Sequence, residues 1–519
     1  MITRIFRPAA LAMLMTMTAL VSPALAQTAL RASLNADIRS TDPGINRDAN
    51  SDMVVFHILE GLVAYSNDTD VVPMLAADVQ VSDDGLTYTF PLREGVTFHN
   101  GAALTAEDVV FAWKRYLDPA LAWRCLPEFT GGVANVIDIA AHDERTVTIT
   151  LEKPSALFLA SMARLDCGQS GIWHRDSLNA DGSWNAPVGT GPYSLTEWRQ
   201  GQFIDLTKFA EYAALPGDAD GLAGNKGEGP DTIRLVLIPD GAAARAALQS
   251  GDIDLIPDID SEQDADDLAR KDGLNVARAP TLSTSGILFQ TENPVLADAR
   301  VRRAIAMSID NAQLVKAVGG QAVNYNASPI PEISGFYGDA QRQGYPYDPE
   351  AAKALLAEAG YAGEEIVILT NQRYKSMYDT AVLSQAMLEA NGINVRFEVM
   401  DWATQLDRYA DGNYMAQAFS YSARYDASLS FEMFMGSKAE QARKIWDNPE
   451  AQALLDQSMQ TLDLAARQAL FDQLHKMMIE DAPAIWQYNG QALAAYGPNV
   501  SSFEPWGTSA PRLWTARMK

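Results

Sequence analysis

Short runs of β-branched and aromatic residues alternate along this chain with longer stretches whose apolar residues recur every three or four positions, which predicts an α/β protein. Several helices carry their own end signals. Thr105 and Asp108 have capping-box spacing, Val109, Ala112, Trp113, Tyr116 and Leu117 follow on one face, and Asp118-Pro119 stops the element. Asp348-Pro349-Glu350 opens another helix and Gly360 closes it. Asn391-Gly392 ends a third, and Ile393, Val395, Phe397 and Val399 then alternate with polar residues as in a strand. Long helices are expected from Asn448 to Asp481, and the Gly- and Asp-rich stretch 217–230 and the Pro-, Gly- and Tyr-rich stretch 330–346 read as surface loops. No repeat at a period of 20–50 residues is visible.

The first 26 residues follow another rule. Arg4 and Arg7 precede an apolar run from Ala9 to Val21, and Ala24-Leu25-Ala26 supplies small residues for cleavage, so a secretory signal peptide cut after Ala26 is expected. With 519 residues the chain exceeds one typical domain and can bury more than one core. Its net charge of −26 would repel a nucleic-acid backbone, which removes nucleic acid from the expected partners. In an exported chain the two cysteines, Cys125 and Cys167, can close a disulfide or remain two buried thiols.

Built-in chemistry is sparse. The five histidines are scattered and no H-E-x-x-H or C-x-x-C pair occurs, so no metal or other cofactor is expected. Gly189-Thr190-Gly191 begins like a dinucleotide fingerprint, but Ser194 takes the place of the third glycine and Pro192 disturbs the helix start. Neither a G-x-S-x-G elbow nor a P-loop is present. A hydrolase whose motif is not recognisable stays open as the lesser alternative, since acids are abundant enough to pair.

From Ser82 the chain reads SDDGLTYTFPLREGVTFHNGAALTAEDVVFAWKR, a turn at Asp84-Gly85, a strand over Thr87–Phe90, a second strand around Val96-Thr97-Phe98 and the capped helix at Thr105. This resembles the signature of the family 5 extracellular solute-binding proteins, the periplasmic dipeptide- and oligopeptide-binding components of ABC transporters. Leu59-Glu60-Gly61-Leu62, Gly189-Thr190-Gly191-Pro192-Tyr193 and Asp298-Ala299-Arg300-Val301-Arg302-Arg303 resemble further family motifs, so the likeness spans most of the chain. The resemblance implies a two-lobed periplasmic-binding-protein fold of type II with a hinge and no enzymatic step. Lobe one is expected at 27–285 and 495–519, with an extra subdomain at about 66–188, and lobe two at 286–494. Crossovers are expected near Ser285–Thr291 and Ala492–Gly497.

The same resemblance implies a monomeric periplasmic receptor that captures short peptides and hands them to an inner-membrane ABC permease. A nickel complex, haem, an opine or an oligosaccharide is the alternative cargo on this scaffold. A closed cleft must pair a peptide's carboxylate and ammonium or leave them desolvated at a cost of several kcal/mol. Arg373, in Asn371-Gln372-Arg373, matches the family's carboxylate-binding arginine, and Asp426 matches its ammonium-binding acid, with Glu432 as fallback. Arg424, two residues before Asp426, could neutralise it or contact an anion itself. Trp402, Tyr421, Ser422 and, in the N-terminal loop, Asp42 complete the expected ligand contacts.

Overall fold

Ten strands build one continuous sheet in the computed structural model, which describes residues 28–519 apart from 46–48, 122, 132–133, 260, 321–322 and 509. The expected signal peptide lies outside the described residues. In chain order the strands are β1 (Ala29–Leu34), β2 (Tyr193–Arg199), β3 (Phe203–Lys208), β4 (Thr232–Leu237), β5 (Leu255–Ile256), β6 (Asn275–Phe289), β7 (Ile366–Asn371), β8 (Val395–Met400), β9 (Ala416–Tyr421) and β10 (Ala484–Tyr496). Their spatial order is β8-β7-β9-β6-β10-β5-β1-β4-β3-β2.

Strands β6 and β10 make the sheet two-lobed. They pair antiparallel along their length, and their register shifts between Pro280 and Thr284, opposite Gln491 and Asn489. On one side of that break lie β5, β1, β4, β3 and β2; on the other lie β9, β7 and β8. Small polar side chains fill the break: Thr281 and Ser283 hydroxyls lie 2.6 Å apart, and Asn489 Nδ2 donates to the Ser283 carbonyl at 2.9 Å.

Register fixes where a cleft must be. In lobe two, Tyr421 at the end of β9 pairs with Thr284, the hinge end of β6, and β7 and β8 run parallel to β9. In lobe one, β5 runs antiparallel to β10 with its C-terminal end toward the hinge, and β1 and β4 run parallel to β5. Both lobes therefore point the carboxyl ends of their parallel strands at the crossover, where open α/β sheets bind ligands.

Period-two alternation sorts lobe two into two cores. Ile287, Phe289, Ile366, Ile368, Ala416 and Ala418 enter one, while Leu288, Leu369, Phe419 and Tyr421 enter the other. Lobe one shares its core with an extra layer whose sheet comprises Gln80–Val81, Thr87–Pro91, Thr146–Leu151 and Val136–Asp143. The helix Ala106–Tyr116 forms as its signals predict, with the Thr105–Asp108 capping box, and Asp348 and Gly360 bound the helix Pro349–Ala359. The helices Pro449–Gln460 and Leu464–Asp481 also form.

Two local expectations are corrected. Val96–Phe98 is no strand; Thr97 makes only an isolated bridge to Ala103, because turns at both ends leave no length for a ladder. The stretch 217–230 is not wholly superficial: Leu222 and Lys226 are buried, and Gly191 and Gly189 nearby are required by close approach rather than by any phosphate. A Cβ on Gly189 would stand 2.0 Å from the Ile58 carbonyl oxygen.

The helix Ala49–Ile58 ends in a buried titratable group. His57 donates from Nδ1 to the Met53 carbonyl at 2.7 Å, so Nε2 is the acceptor for the Leu513 amide at 3.1 Å. Burial holds the imidazole down to about 3 from its ordinary 6.5. The unfolded chain therefore binds a proton that the folded chain refuses between those values, and stability falls as pH drops below about 6.5. By about pH 5 the loss from His57 alone is about 2 kcal/mol. His57→Gln keeps a donor and an acceptor without titrating. Urea unfolding at about pH 7.5 and pH 5 is expected to show a smaller acid loss in this variant than in the wild type; equal losses would remove His57 as a source.

Candidate functional site

The carboxyl ends of β7 and β9 open onto a cavity of about 550 Å³. Ser283 at the hinge, Tyr374, Ser376 and Met377 after β7, Phe419, Ser420 and Tyr421 on β9, and Ser422 and Arg424 beyond it form much of the lining. Trp402 and Tyr409 enter from the helix Trp402–Ala410, and Arg443 from a loop. Asp401 caps that helix by accepting the Thr404 amide at 3.0 Å, which sets the entry angle of Trp402.

Aromatic rings hold one another in this wall. Trp402 meets Tyr374 edge-on at 5.0 Å and Phe419 at 5.7 Å, Tyr409 stacks on Phe419 at 4.6 Å, and Tyr421 stands edge-on to Phe419 at 5.1 Å. Such contacts prefer these offset and T-shaped geometries and limit ring rotation. Polar groups converge on the same space. Tyr409 and Tyr421 hydroxyls are 3.1 Å apart, and Arg443 Nη1 lies 3.3 Å from the Tyr409 oxygen. Burial pushes the Tyr421 phenol far above its ordinary range, so it stays protonated. Among the described residues no carboxylate lines the cavity, whereas two guanidiniums do.

The residues singled out in the sequence divide between this cavity and other duties. Trp402, Tyr421, Ser422 and Arg424 line it together. Arg373 is exposed at one side of it, its guanidinium 5.5 Å from the Tyr374 ring centre, with no acidic partner among the described residues.

Three of the expected acids lie outside the lining of this cavity, each in an ion pair. Asp426 is buried and caps the helix Ala427–Glu432 through the Ser428 amide, while Arg467 grips both of its oxygens at 2.8 and 3.1 Å. Its ion-pair partner is therefore Arg467 and not Arg424. Asp42 is held in the same two-pronged way by Arg115, at 2.9 and 2.8 Å, and accepts the Gly44 amide. Glu432 pairs with Lys444 at 2.7 Å. Asp426 and Asp42, both buried, stand beside cations 41 and 73 residues away in the chain, and a charge buried without such a partner would cost far more.

Tyr374, Tyr409, Phe419 and Arg443 were not singled out in advance. Tyr409 is signalled by the i, i+7 spacing from Trp402 on one helix, and Phe419 by its two-residue spacing from Tyr421 on one strand face. Arg443 has no such signal.

Across the hinge, a second cavity of about 400 Å³ lies at the carboxyl end of β1 and the start of the helix Ala49–Ile58, with Asn35, Asp37, Arg39, Asn50 and Asp258 in its lining. Asp37 is already engaged by the Trp198 indole N–H at 3.0 Å and the Gly201 amide at 2.7 Å. Tyr425, the residue after Arg424, leaves the pocket wall and stacks on Tyr65 of lobe one at 5.0 Å. One loop thus supplies a pocket residue and an inter-lobe contact in succession.

The profile of the bacterial extracellular solute-binding proteins, family 5 Middle, matches residues 70–442, well over half of the chain. The chain is similar to heme-binding protein A of Haemophilus influenzae, with 29% identity over 507 residues covering 90% of this chain and 87% of the relative. It is similar also to the dipeptide-binding protein of Escherichia coli, with 27% identity over 444 residues and 80% of each chain covered. Among solved structures, HbpA2 from Haemophilus parasuis shares the fold at a TM-score of 0.80 and 23% identity, covering 95% of this chain and 100% of that one.

Proposed function

Because the chain belongs to the bacterial extracellular solute-binding proteins of family 5, we propose that it is an exported receptor that closes its two lobes on a carboxylate-bearing solute and delivers it, chemically unchanged, to an inner-membrane ABC permease. The observation that carries this reading is the sign of the pocket: an aromatic wall with Arg424 and Arg443 in its lining, Arg373 beside it, and, among the described residues, no acidic side chain in the lining. In a half-enclosed site such cations attract an anion and leave an ammonium unpaired. The names of the two relatives fit the same chemistry, since haem carries propionates and a dipeptide a terminal carboxylate. Short peptides remain within this reading through their carboxylate, while Asp426, paired with Arg467 and outside the pocket lining, lends an ammonium contact no support. For the lobes we keep 27–285 with 495–519 and 286–494, a division supported by the register break at Pro280–Thr284.

The test is native mass spectrometry of protein purified without stripping, followed by thermal shift against haemin, a dipeptide, a neutral sugar and a diamine. Haemin or the dipeptide is expected to stabilise the protein, by about 2.7 kcal/mol at a hundredfold excess over the dissociation constant, and to be recovered with its mass intact. Stabilisation by the diamine or the sugar alone would refute the carboxylate reading; recovery of cleaved product would refute transport without chemistry.

A further inference from the structure

We propose that Arg424 and Tyr421 form a donor-only clamp for one carboxylate of the cargo, and that a hydrogen-bond relay from Arg443 through Tyr409 aims the Tyr421 hydroxyl into it. The inference rests on the carboxylate reading above and assigns the atoms that execute it.

Arg424 is pinned by one nitrogen. Its Nη1 donates to the Ser422 carbonyl at 3.1 Å, the Ser422 hydroxyl at 3.0 Å and the Ala423 carbonyl at 3.0 Å, all within its own loop. Among the described residues no acceptor meets its Nε or Nη2, the edge through which a guanidinium takes a carboxylate by two parallel hydrogen bonds. The loop thus fixes the head group and leaves its binding edge open.

Proton direction settles the role of Tyr421. Arg443 Nη1 donates to the Met433 carbonyl at 2.7 Å and to the Tyr409 oxygen at 3.3 Å, and an arginine can only donate. Tyr409 accepts there with a lone pair, and its own proton goes to the Tyr421 oxygen, 3.1 Å away. Tyr421 accepts there, so its proton is free to be donated again, and no described residue accepts it. The ring cannot swing out to find another partner: it is 6% exposed and held between Phe419 at 5.1 Å and Trp486 at 5.9 Å. Donors in series polarise one another, so the cationic origin of the chain strengthens the last donor. A carboxylate satisfies both the Arg424 edge and the Tyr421 hydroxyl, whereas an amide or ester offers them one neutral acceptor and an ammonium offers none.

Calorimetric titration of haemin and of a dipeptide, each beside its ester or amide, into the wild type and the Tyr421→Phe, Tyr409→Phe and doubly substituted proteins tests the clamp. Tyr421→Phe is expected to weaken the acid by about 10- to 100-fold and its neutral counterpart by less than about threefold, the difference expected of a hydrogen bond to a charge. Tyr409→Phe is expected to weaken the acid by about three- to tenfold, and the double variant to be no weaker than Tyr421→Phe alone, because Tyr409 acts through Tyr421. Unchanged acid binding in Tyr421→Phe overturns the clamp and leaves the carboxylate reading standing. Additive losses overturn the relay. A wild type that binds neither acid, or binds ester and acid alike, overturns the carboxylate reading and the clamp with it.

Discussion

Glu60→Ala is expected to cost about 3–5 kcal/mol of stability in urea unfolding, more than any substitution in the pocket wall. Glu60 is wholly buried, and its carboxylate meets Lys226 Nζ at 2.7 Å, the Tyr212 hydroxyl at 2.9 Å and the Thr190 hydroxyl at 2.9 Å. Lys226 is 1% exposed, and burial pulls its ammonium below the ordinary lysine range while Glu60 pulls it back. Removing Glu60 leaves a buried cation and two hydroxyls without their acceptor, and it is this orphaning that is costly. The control separates pairing from packing. Glu60→Met with Lys226→Met removes both charges at similar volume and is expected to recover at least half of the loss, although Thr190 and Tyr212 stay unsatisfied. If the double variant is as unstable as Glu60→Ala, shape and not charge holds this part of lobe one.

The same cluster explains why the scaffold was legible in the sequence and the pocket was not. Leu59-Glu60-Gly61-Leu62 and Gly189-Thr190-Gly191-Pro192-Tyr193 meet here: Thr190 bonds Glu60, Gly191 donates to the Ile58 carbonyl at 2.9 Å, and Tyr193 donates to the Pro230 carbonyl at 2.8 Å. Asp298 caps the helix Ala299–Met307, from which buried Arg302 bonds the carbonyls of Leu296, Ala297 and Ala482. These motifs are packing and capping devices, so they report the fold and say nothing of cargo. Caps such as Thr105 with Asp108 are local and need only their own few residues. A binding group is not local in this sense. Asp426 sits in a loop that borders the cleft, yet its partner Arg467 is 41 residues away on another helix, and no spacing announces that pair. Arg443 reaches the pocket from a loop without periodicity, and only its contact with Tyr409 gives it a role. Trp402 was legible through its match to a family position and Tyr421 through its place at the end of a strand, and both enter the cavity wall.

Removing the disulfide is the second large effect expected. Cys125 and Cys167 are joined, with Cα atoms 5.8 Å apart and 42 residues of separation. In the chain-entropy account a closed loop of that length stabilises by about 4 kcal/mol, by restricting the unfolded chain. Its location couples it to the Glu60 cluster. Directly after Cys167, Gly168, Gln169 and Ser170 all take left-handed backbone, at φ of 65°, 57° and 46°. That conformation is unfavourable for Gln169 and Ser170 by about 1 kcal/mol or more each, so the surrounding structure must impose it. There the Gln169 carbonyl lies so close to Gly61 that a Cβ would approach it to 2.3 Å. The bond thus anchors a disfavoured turn against the residue next to Glu60. Cys125→Ser with Cys167→Ser is expected to lower the urea midpoint by the equivalent of about 4 kcal/mol, and reduced wild type to unfold at the same midpoint as the variant. If Glu60→Ala is then added, the combined loss is expected to differ from the sum of the two, because the turn links them. A purely entropic crosslink would leave the two losses additive, and that outcome would sever the link between the turn and the buried pair.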